Sequence, residues 1–318
     1  MSRKSVVAIV VFVALAVGFG MWAVTSGGRR NSPGREAPPG PTAVQDGQSP
    51  QPQDEQSRWQ EQAEPYTGPL PWDGEPEVRE KLAQTGATVL MAAFKATLHE
   101  PIANETYNIA LAADHLAGTV VAAGEVFSQN QTIGPYSESR GYRAGPTYMG
   151  NRIVTTVGGG VCKISSLLYN VTVFSNLKVI ERHPHSLTVP YVPPGQDATV
   201  FYGVKDFKFQ NTSGGPVVIW ARFKDDTLYM AMYGTTRPPP IRWRHEVVKR
   251  VPHWTEYRYN PALAPGERRV VMPGMDGIVV RTWIVVDGPD GPREIRMPTD
   301  YYDPSPRVIE HGKDAGSD

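Results

Sequence analysis

An uncharged apolar run from Val6 to Val24 is followed by a tract with almost nothing to bury, and together they decide which part of this chain can fold. As a helix, nineteen residues rise about 28 Å, close to the hydrocarbon thickness of a bilayer. A secretory signal has a shorter apolar core, about 7–15 residues, ahead of a small-x-small site. Ala23-Val24-Thr25 resembles such a site only weakly. Residues 1–25 therefore read as an uncleaved single-pass anchor that meets the lipid bilayer through residues 6–24, with a cleaved signal peptide as the alternative. Both readings export the remainder of the chain. Arg3 and Lys4 favour an inside N-terminus, and Arg29 and Arg30 soften that bias. Residues 26–75 include GGRRNSPGREAPPGPTAVQDGQSPQPQDEQ, which cannot bury enough surface to offset its ordering entropy. They are expected to form a disordered spacer, with order beginning near residue 76.

Lysine plus arginine number 32, and aspartate plus glutamate also 32, so no basic excess exists to neutralise phosphates. This argues against nucleic acid as a partner. Cys162 is the only cysteine, which excludes an internal disulfide and a zinc site built on several thiolates. In an exported protein such a thiol is either buried and inert or kept for its chemistry.

From residue 76 the pattern mixes helix and strand without a repeating β-α-β rhythm, which predicts an α+β domain over 76–236. A helix gives way to a strand around Thr88 to Lys95. Asn104 is placed to cap a second helix whose apolar positions are Ile109, Leu111, Ala112 and Leu116. Gly118 would end it, and a strand comes next over 119–122. The turn-rich stretch AAGEVFSQNQTIGPYSESRGY reads as a long ordered loop. Lys163 to Phe174 reads as a helix, 178–182 and 198–202 as strands, and DFKFQNTSGGPVVIWARFKDDTLYMAMYGT as an antiparallel meander. The prolines of RPPP (237–240) mark a boundary. Residues 241–312 are almost wholly strand and turn, punctuated by Gly266, Gly274, Gly277, Gly288 and Gly291, and read as a small β-rich module. Residues 313–318 read as a frayed tail.

The chemistry concentrates in VGGGVCKISSLLYN. Glycines 158–160 permit positive φ and close backbone approach, and they place Cys162 at a helix N-terminus. The positive dipole end favours a thiolate there, and Lys163 adds nearby charge. Backbone N–H groups of Gly160, Val161 and Lys163 are candidates for holding an oxyanion. The competing reading is a structural cysteine, since free cysteine is among the most buried residue types. A thiol nucleophile needs a base and a group that orients the base. ERHPHS supplies His183 and His185, and Pro184 between them predicts a corner that turns one toward the site and the other away. Glu181, Asp197 and Asp206 are candidate orienting groups. A metal would need a third ligand that the sequence does not place, and nothing calls for a cofactor. Tyr136, Arg140, Tyr142 and Tyr148 are candidates for lining a peptide-binding cleft, with ordinary loop packing as the alternative.

These motifs resemble the VanW family. The matching pieces are NIALAADHLAGTVVAAGEVFSQNQTIGP, RGYRAGPTY, VGGGVCKISSLLYN, ERHPHSLTVPYVPPGQDATV and DFKFQNTSGGPVVIWARF, in the family order, over roughly residues 104 to 223. The tail, through PGMDGIVV and DYYDP, resembles the glycine-punctuated β modules found beside cell-wall domains. The resemblance implies a bacterial envelope protein linked to peptidoglycan. It also implies a cysteine L,D-transpeptidase-like activity on peptidoglycan stem peptides, with Cys162 mapping onto the family nucleophile and His185, in the family's His-Ser pair, preferred over His183 for moving protons. The family name comes from glycopeptide-resistance clusters, and membership alone does not extend resistance to this chain. Lys163 departs from the glutamine common at that position, which bears on activity more than on fold. Two other readings stand beside this one: a non-catalytic peptidoglycan-binding or scaffold protein, and a cysteine peptidase or amidase that uses water as acceptor.

Overall fold

The computed structural model describes residues 64–313 apart from 99, 150 and 151, and leaves aside the side chains of residues 148, 149, 152 and 153. The expected anchor over 6–24, most of the expected spacer and the residues after 313 lie outside the described residues. Among the described residues no helix is long and apolar enough to cross a membrane.

Packing begins earlier than the composition predicts. Residues 64–75, assigned to the spacer, carry Leu70 and Trp72, which are buried together with Val78, Trp220 and Tyr233. The Trp72 indole donates to Tyr233 Oη at 2.8 Å, so its buried N–H is satisfied. Leu70 and Trp72 anchor the segment together with the Tyr66 N–H bond to the Ala93 carbonyl and the Glu75–Arg222 ion pair.

Helix α1 (Pro76–Thr85) opens with proline, whose fixed φ and missing N–H suit a first turn, and it stops at Gly86 with φ 73°. Strand β1 (Val89–Thr97) comes next, then α2 (Ala103–Leu116) and β2 (Thr119–Val121). Ile109, Ala112 and Leu116 are fully buried. Asn104 is not the cap: the helix starts at Ala103, and the Asn104 amide donates to the Ala144 carbonyl at 2.8 Å. The expected loop after residue 122 contains a strand, β3 (Val126–Ser128), and a short helix, α3 (Gln129–Ile133). Its start signal is Ser128, whose hydroxyl accepts from the Gln131 N–H at 3.2 Å.

A hairpin of β4 (Ala144–Met149) and β5 (Arg152–Val157) runs into the glycines and then into α4 (Cys162–Phe174). Strands β6 (Lys178–Glu181), β7 (Lys208–Gln210), β8 (Val217–Lys224) and β9 (Thr227–Gly234) complete this half. The order β1-β9-β8-β2 forms one antiparallel sheet, and β3-β7-β6 forms another. The expected meander is therefore split: β8 and β9 form a hairpin whose turn residues Asp225 and Asp226 take φ 50° and 54°, while β7 leaves to pair elsewhere. No strand forms over 198–202. That segment holds a single bridge, Phe201 to Lys205; the Ala198 N–H and carbonyl are taken by Ser166 of the helix beside it, and the Thr199 N–H donates to the His183 carbonyl.

Helix α4 is buried on all sides and lies against β1 and β9. Ile164, Leu167, Leu168, Val171 and Phe174 fill the apolar side. On its polar side, Ser166 and Asn170 face the loop at 196–198. Ser166 Oγ accepts from the Ala198 N–H at 2.9 Å, and the Asn170 amide donates to the Gln196 carbonyl at 2.9 Å. Those bonds hold Asp197 beside the helix.

Beyond the prolines the chain is all strand: β10 (Ile241–Val251), β11 (Thr255–Tyr259), β12 (Arg268–Met275), β13 (Gly277–Gly288), β14 (Gly291–Arg296), β15 (Asp300–Tyr302) and β16 (Ser305–His311). The long β13 pairs with β10, β14 and β15, all antiparallel. Strand β16 lies between an antiparallel β12 and a parallel β11. Trp243, Ile284 and Val286 of this half belong to the same apolar core as α4. The described residues as a whole are helix-poor and dominated by antiparallel strands.

Candidate active site

The glycine run is shaped by what it must pass. Gly158 takes φ 83° and Gly160 φ 105°, where a side chain would be strained. A Cβ on Gly159 would lie 2.2 Å from the Gly145 carbonyl carbon and oxygen, so β4 and the glycines touch backbone to backbone. The chain then enters α4 at Cys162. Its Sγ sits 3.3 Å from Thr199 Oγ1 and 3.7 Å from the Val200 carbonyl oxygen. The thiol is half-buried and lines a cavity of about 580 Å³. The cavity walls include Tyr136, Pro146, Thr156, Lys163, Tyr191 and Phe201.

His185 reaches Cys162 from the corner made by Pro184 and is itself almost fully buried. Its Nδ1 is 2.7 Å from Asp197 Oδ2, which also accepts the His185 backbone N–H at 2.7 Å. The ring also interacts electrostatically with Cys162. Cysteine, histidine and aspartate thus form a chain from the cavity into the interior. Burial pushes the Cys162 thiol up, but the interaction with His185 and the Thr199 hydroxyl outweigh it, and the thiol falls to about 7. Burial disfavours an imidazolium at His185, yet Asp197 and Cys162 raise its pKa to about 9. Asp197 is held well below the usual carboxylate range: burial opposes its charge, and Arg182, His185 and Tyr302 more than compensate. Between those two values the favoured state is thiolate beside imidazolium.

The other sequence candidates fall on both sides of the cavity wall. Tyr136 lines the cavity, and its hydroxyl donates to Asn130 Oδ1 at 3.0 Å. Tyr142 is buried in the apolar core with its hydroxyl on the Ile133 carbonyl, which removes it from the cleft. Arg140 donates to the Gly134 carbonyl and does not line the cavity. The side chain of Tyr148, on β4, lies outside the described residues. His183 is turned away from the cavity and sits 3.0 Å from Glu181, which also pairs with Lys208. Asp206 serves Ser128 and the Asn130 N–H, not a histidine. Two of the three backbone donors are occupied: the Val161 and Lys163 N–H groups bond the Gly158 and Gly160 carbonyls. The N–H groups of Gly160 and Cys162 make no hydrogen bond among the described residues.

The Lys163 ammonium is buried against Glu105 and lies 4.8 Å from the centre of the Tyr191 ring. Glu105 also lines the cavity, so the wall carries an ion pair and not an unpaired cation. Glu105, Tyr191 and Thr199 escape a sequence reading because each lies in a different segment from the cysteine motif. Tyr191 and Thr199 fall inside the histidine-bearing motif at 181–200, where nothing local singles them out.

Comparison with known proteins finds two family models that each match part of the chain. Residues 104–233 match the model for "VanW like protein", and residues 244–314 match the model for the G5 domain. The chain carries a VanW-like domain followed by a G5 domain. Cys162, His185 and Asp197 all fall within the VanW-like domain, and β10 to β16 span the G5 domain. Among curated proteins, "Uncharacterized protein YoaR" of Bacillus subtilis (strain 168) is 32% identical over 160 residues, 50% of this chain and 53% of that protein. "Vancomycin B-type resistance protein VanW" of Enterococcus faecalis (strain ATCC 700802 / V583) is 29% identical over 143 residues, 43% of this chain and 52% of that protein. The chain spans about half the length of these relatives. Among solved structures, "IgA1 Protease G5 domain structure" is 26% identical with a TM-score of 0.17, over 26% of this chain and 100% of that one. "Crystal structure of HP0197-G5" is 18% identical with a TM-score of 0.14, over 23% and 97%.

Proposed function

We propose that the protein is a cysteine-dependent acyltransferase of the cell envelope that acts on peptidoglycan stem peptides, in the manner of an L,D-transpeptidase. The observation that carries this reading is the Cys162–His185–Asp197 chain opening on a cavity large enough for a peptide. In the proposed reaction the Cys162 thiolate attacks a stem-peptide carbonyl carbon and forms a tetrahedral oxyanion. The N–H groups of Gly160 and Cys162, at the positive end of α4, are the donors proposed for that oxygen. Collapse breaks the bond to the terminal D-residue, whose nitrogen leaves with the proton of His185. An amine of a second stem then attacks the thioester, gives its proton to His185, and releases the thiolate. Asp197 keeps Nδ1 protonated throughout, so Nε2 handles the transfers. The VanW-like match and the G5 domain support an envelope setting. In this reading residues 6–24 anchor the chain in the membrane, and the folded part lies outside it.

The test is reaction of the protein with purified stem peptides followed by intact-protein mass spectrometry, with Cys162→Ala alongside. The expected result is an acyl adduct on the wild type, absent from the variant, and cross-linked product. Shortened peptides alone would make the protein a peptidase with water as acceptor. No adduct and no product from folded protein, on several stem types, would leave peptidoglycan binding without catalysis as the better account.

A further inference from the structure

The G5 domain supplies part of the wiring of the cysteine site. Asp197 is completely buried, and each of its oxygens has its own set of donors. Oδ2 takes the two N–H groups of His185. Oδ1 takes the Tyr302 hydroxyl at 2.5 Å and Arg182 Nη2 at 3.0 Å. Tyr302 lies on β15, inside the G5 domain, and its oxygen also accepts the Gly195 N–H at 2.7 Å, two residues before Asp197. Arg182 binds the Asp197 backbone carbonyl through Nε at 2.7 Å, and its Nη1 meets both oxygens of Asp300 at 2.6 Å. Asp300 is also on β15. The contact continues around the site: the Asp303 N–H donates to the Ser186 carbonyl at 2.7 Å, directly after the histidine. A Cβ on Gly195 would lie 2.4 Å from Thr282 of β13. A tether that merely joined two modules would not place four residues of the second against Asp197 and the segments that flank it.

We infer that Tyr302 and, through Arg182, Asp300 are positioning residues: they hold the Asp197 carboxylate in the orientation from which it fixes the His185 ring against Cys162, so the G5 domain completes the site. The inference rests on the cysteine-centred reading proposed for the VanW-like domain. It assigns the G5 domain a second task, beyond whatever surface it binds.

The two residues act with opposite sign. The Tyr302 hydroxyl withdraws charge from Asp197 and weakens its pull on the imidazolium proton. Asp300 neutralises Arg182, which would otherwise bear on Asp197 and oppose the imidazolium. The groups facing this histidine are Cys162 and Asp197, with Arg182, Asp300, Tyr302 and the Tyr169 ring behind Asp197, and Tyr136 acting on the thiol. Removing the Tyr302 hydroxyl should therefore hold the His185 proton to higher pH, and removing the Asp300 charge should release it at lower pH.

The experiment is the pH dependence of alkylation of the full-length protein by iodoacetate. Cys162 is the only thiol, so the signal has one source. The rate rises as the thiolate forms and falls as the imidazolium that attracts the reagent's carboxylate loses its proton. Wild type, Tyr302→Phe, Asp300→Asn, Asp300→Glu and Tyr301→Phe, whose side chain is exposed, are compared, with melting curves to establish folding. The expected result is a falling limb moved up by about one unit in Tyr302→Phe and down by about one unit in Asp300→Asn. Asp300→Glu recovers part of the shift, and Tyr301→Phe overlays the wild type. Folded variants whose falling limbs stay in place, or move in the same direction, overturn the inference while leaving the thiol's low titration intact. A wild type that shows only an ordinary thiol rise near about 8.5, with no fall, removes the cysteine-centred reading itself. If one variant does not fold, the direction of the other limb decides.

Discussion

At the scale of single residues, the site is a problem in keeping three ionisable groups charged where water is scarce. The thiol at about 7 and the imidazole at about 9 predict that Cys162 reactivity toward an anionic reagent peaks between those values. Replacing His185 by alanine should return the thiol toward its ordinary value, since burial is then opposed only by the Thr199 and Val200 contacts, and alkylation at pH 7 should fall by at least about tenfold. Asp197 contributes to stability through its lowered pKa. That contribution is complete above the unfolded-state carboxylate value and is lost as pH falls through the lower folded-state value. Denaturant titrations at pH 7 and at pH 3 should therefore show a loss in the wild type that is smaller in Asp197→Asn. Asp197→Ala at neutral pH should cost about 3–5 kcal/mol, because Arg182 and His185 lose a buried counterion together.

At the scale of elements, the cysteine's place was legible because glycines followed by a helical apolar pattern leave few alternatives. The same logic fitted α1, β1 and α2, whose periodicities are long. It failed where partners are distant in sequence. The strand expected over 198–202 has β-like composition, yet its backbone satisfies Ser166 on α4 and never joins a ladder. Tyr142 and Tyr136 look alike as letters six apart, and packing sends one into the core and the other to the cavity wall. The capping pair at Ser128 and Gln131 was present in the sequence and marks a helix too short for periodicity to reveal. The glycine crossing gives a direct prediction. Gly159→Ala would force β4 and the start of α4 apart, costing roughly 1–3 kcal/mol and slowing alkylation of Cys162. Gly288→Ala, whose added carbon meets only an ordinary 3.5 Å contact, should leave the melting temperature nearly unchanged.

At the scale of the whole molecule, the proline boundary at 237–240 is a boundary in composition and not in packing. Trp243 lies against Tyr169 of α4 with ring centroids 5.7 Å apart, and the Arg182–Asp300 pair is almost wholly buried. The sequence separates the two halves because prolines and a change of pattern are local, whereas these contacts join residues 74 to 118 positions apart. The two domains should therefore unfold together. Calorimetry on the full chain should show one transition for residues 64–313, and Asp300→Ala should lower it as a single peak without splitting it. Two separated transitions would mean that the buried contacts across the boundary are too weak to couple the halves.

The buried carboxylate shared across that boundary also bears on inheritance. Shuffling usually treats such modules as beads, exchangeable at the linker. Here a recombinant that imported another β module at the prolines would have to bring an acid and a tyrosine two positions apart on the strand that meets Asp197, or leave a charge stranded in the interior. The pair of domains should thus travel through lineages as one heritable unit, and the Asp-Tyr-Tyr tripeptide at 300–302 is the place where a lineage that broke the pairing would show its repair.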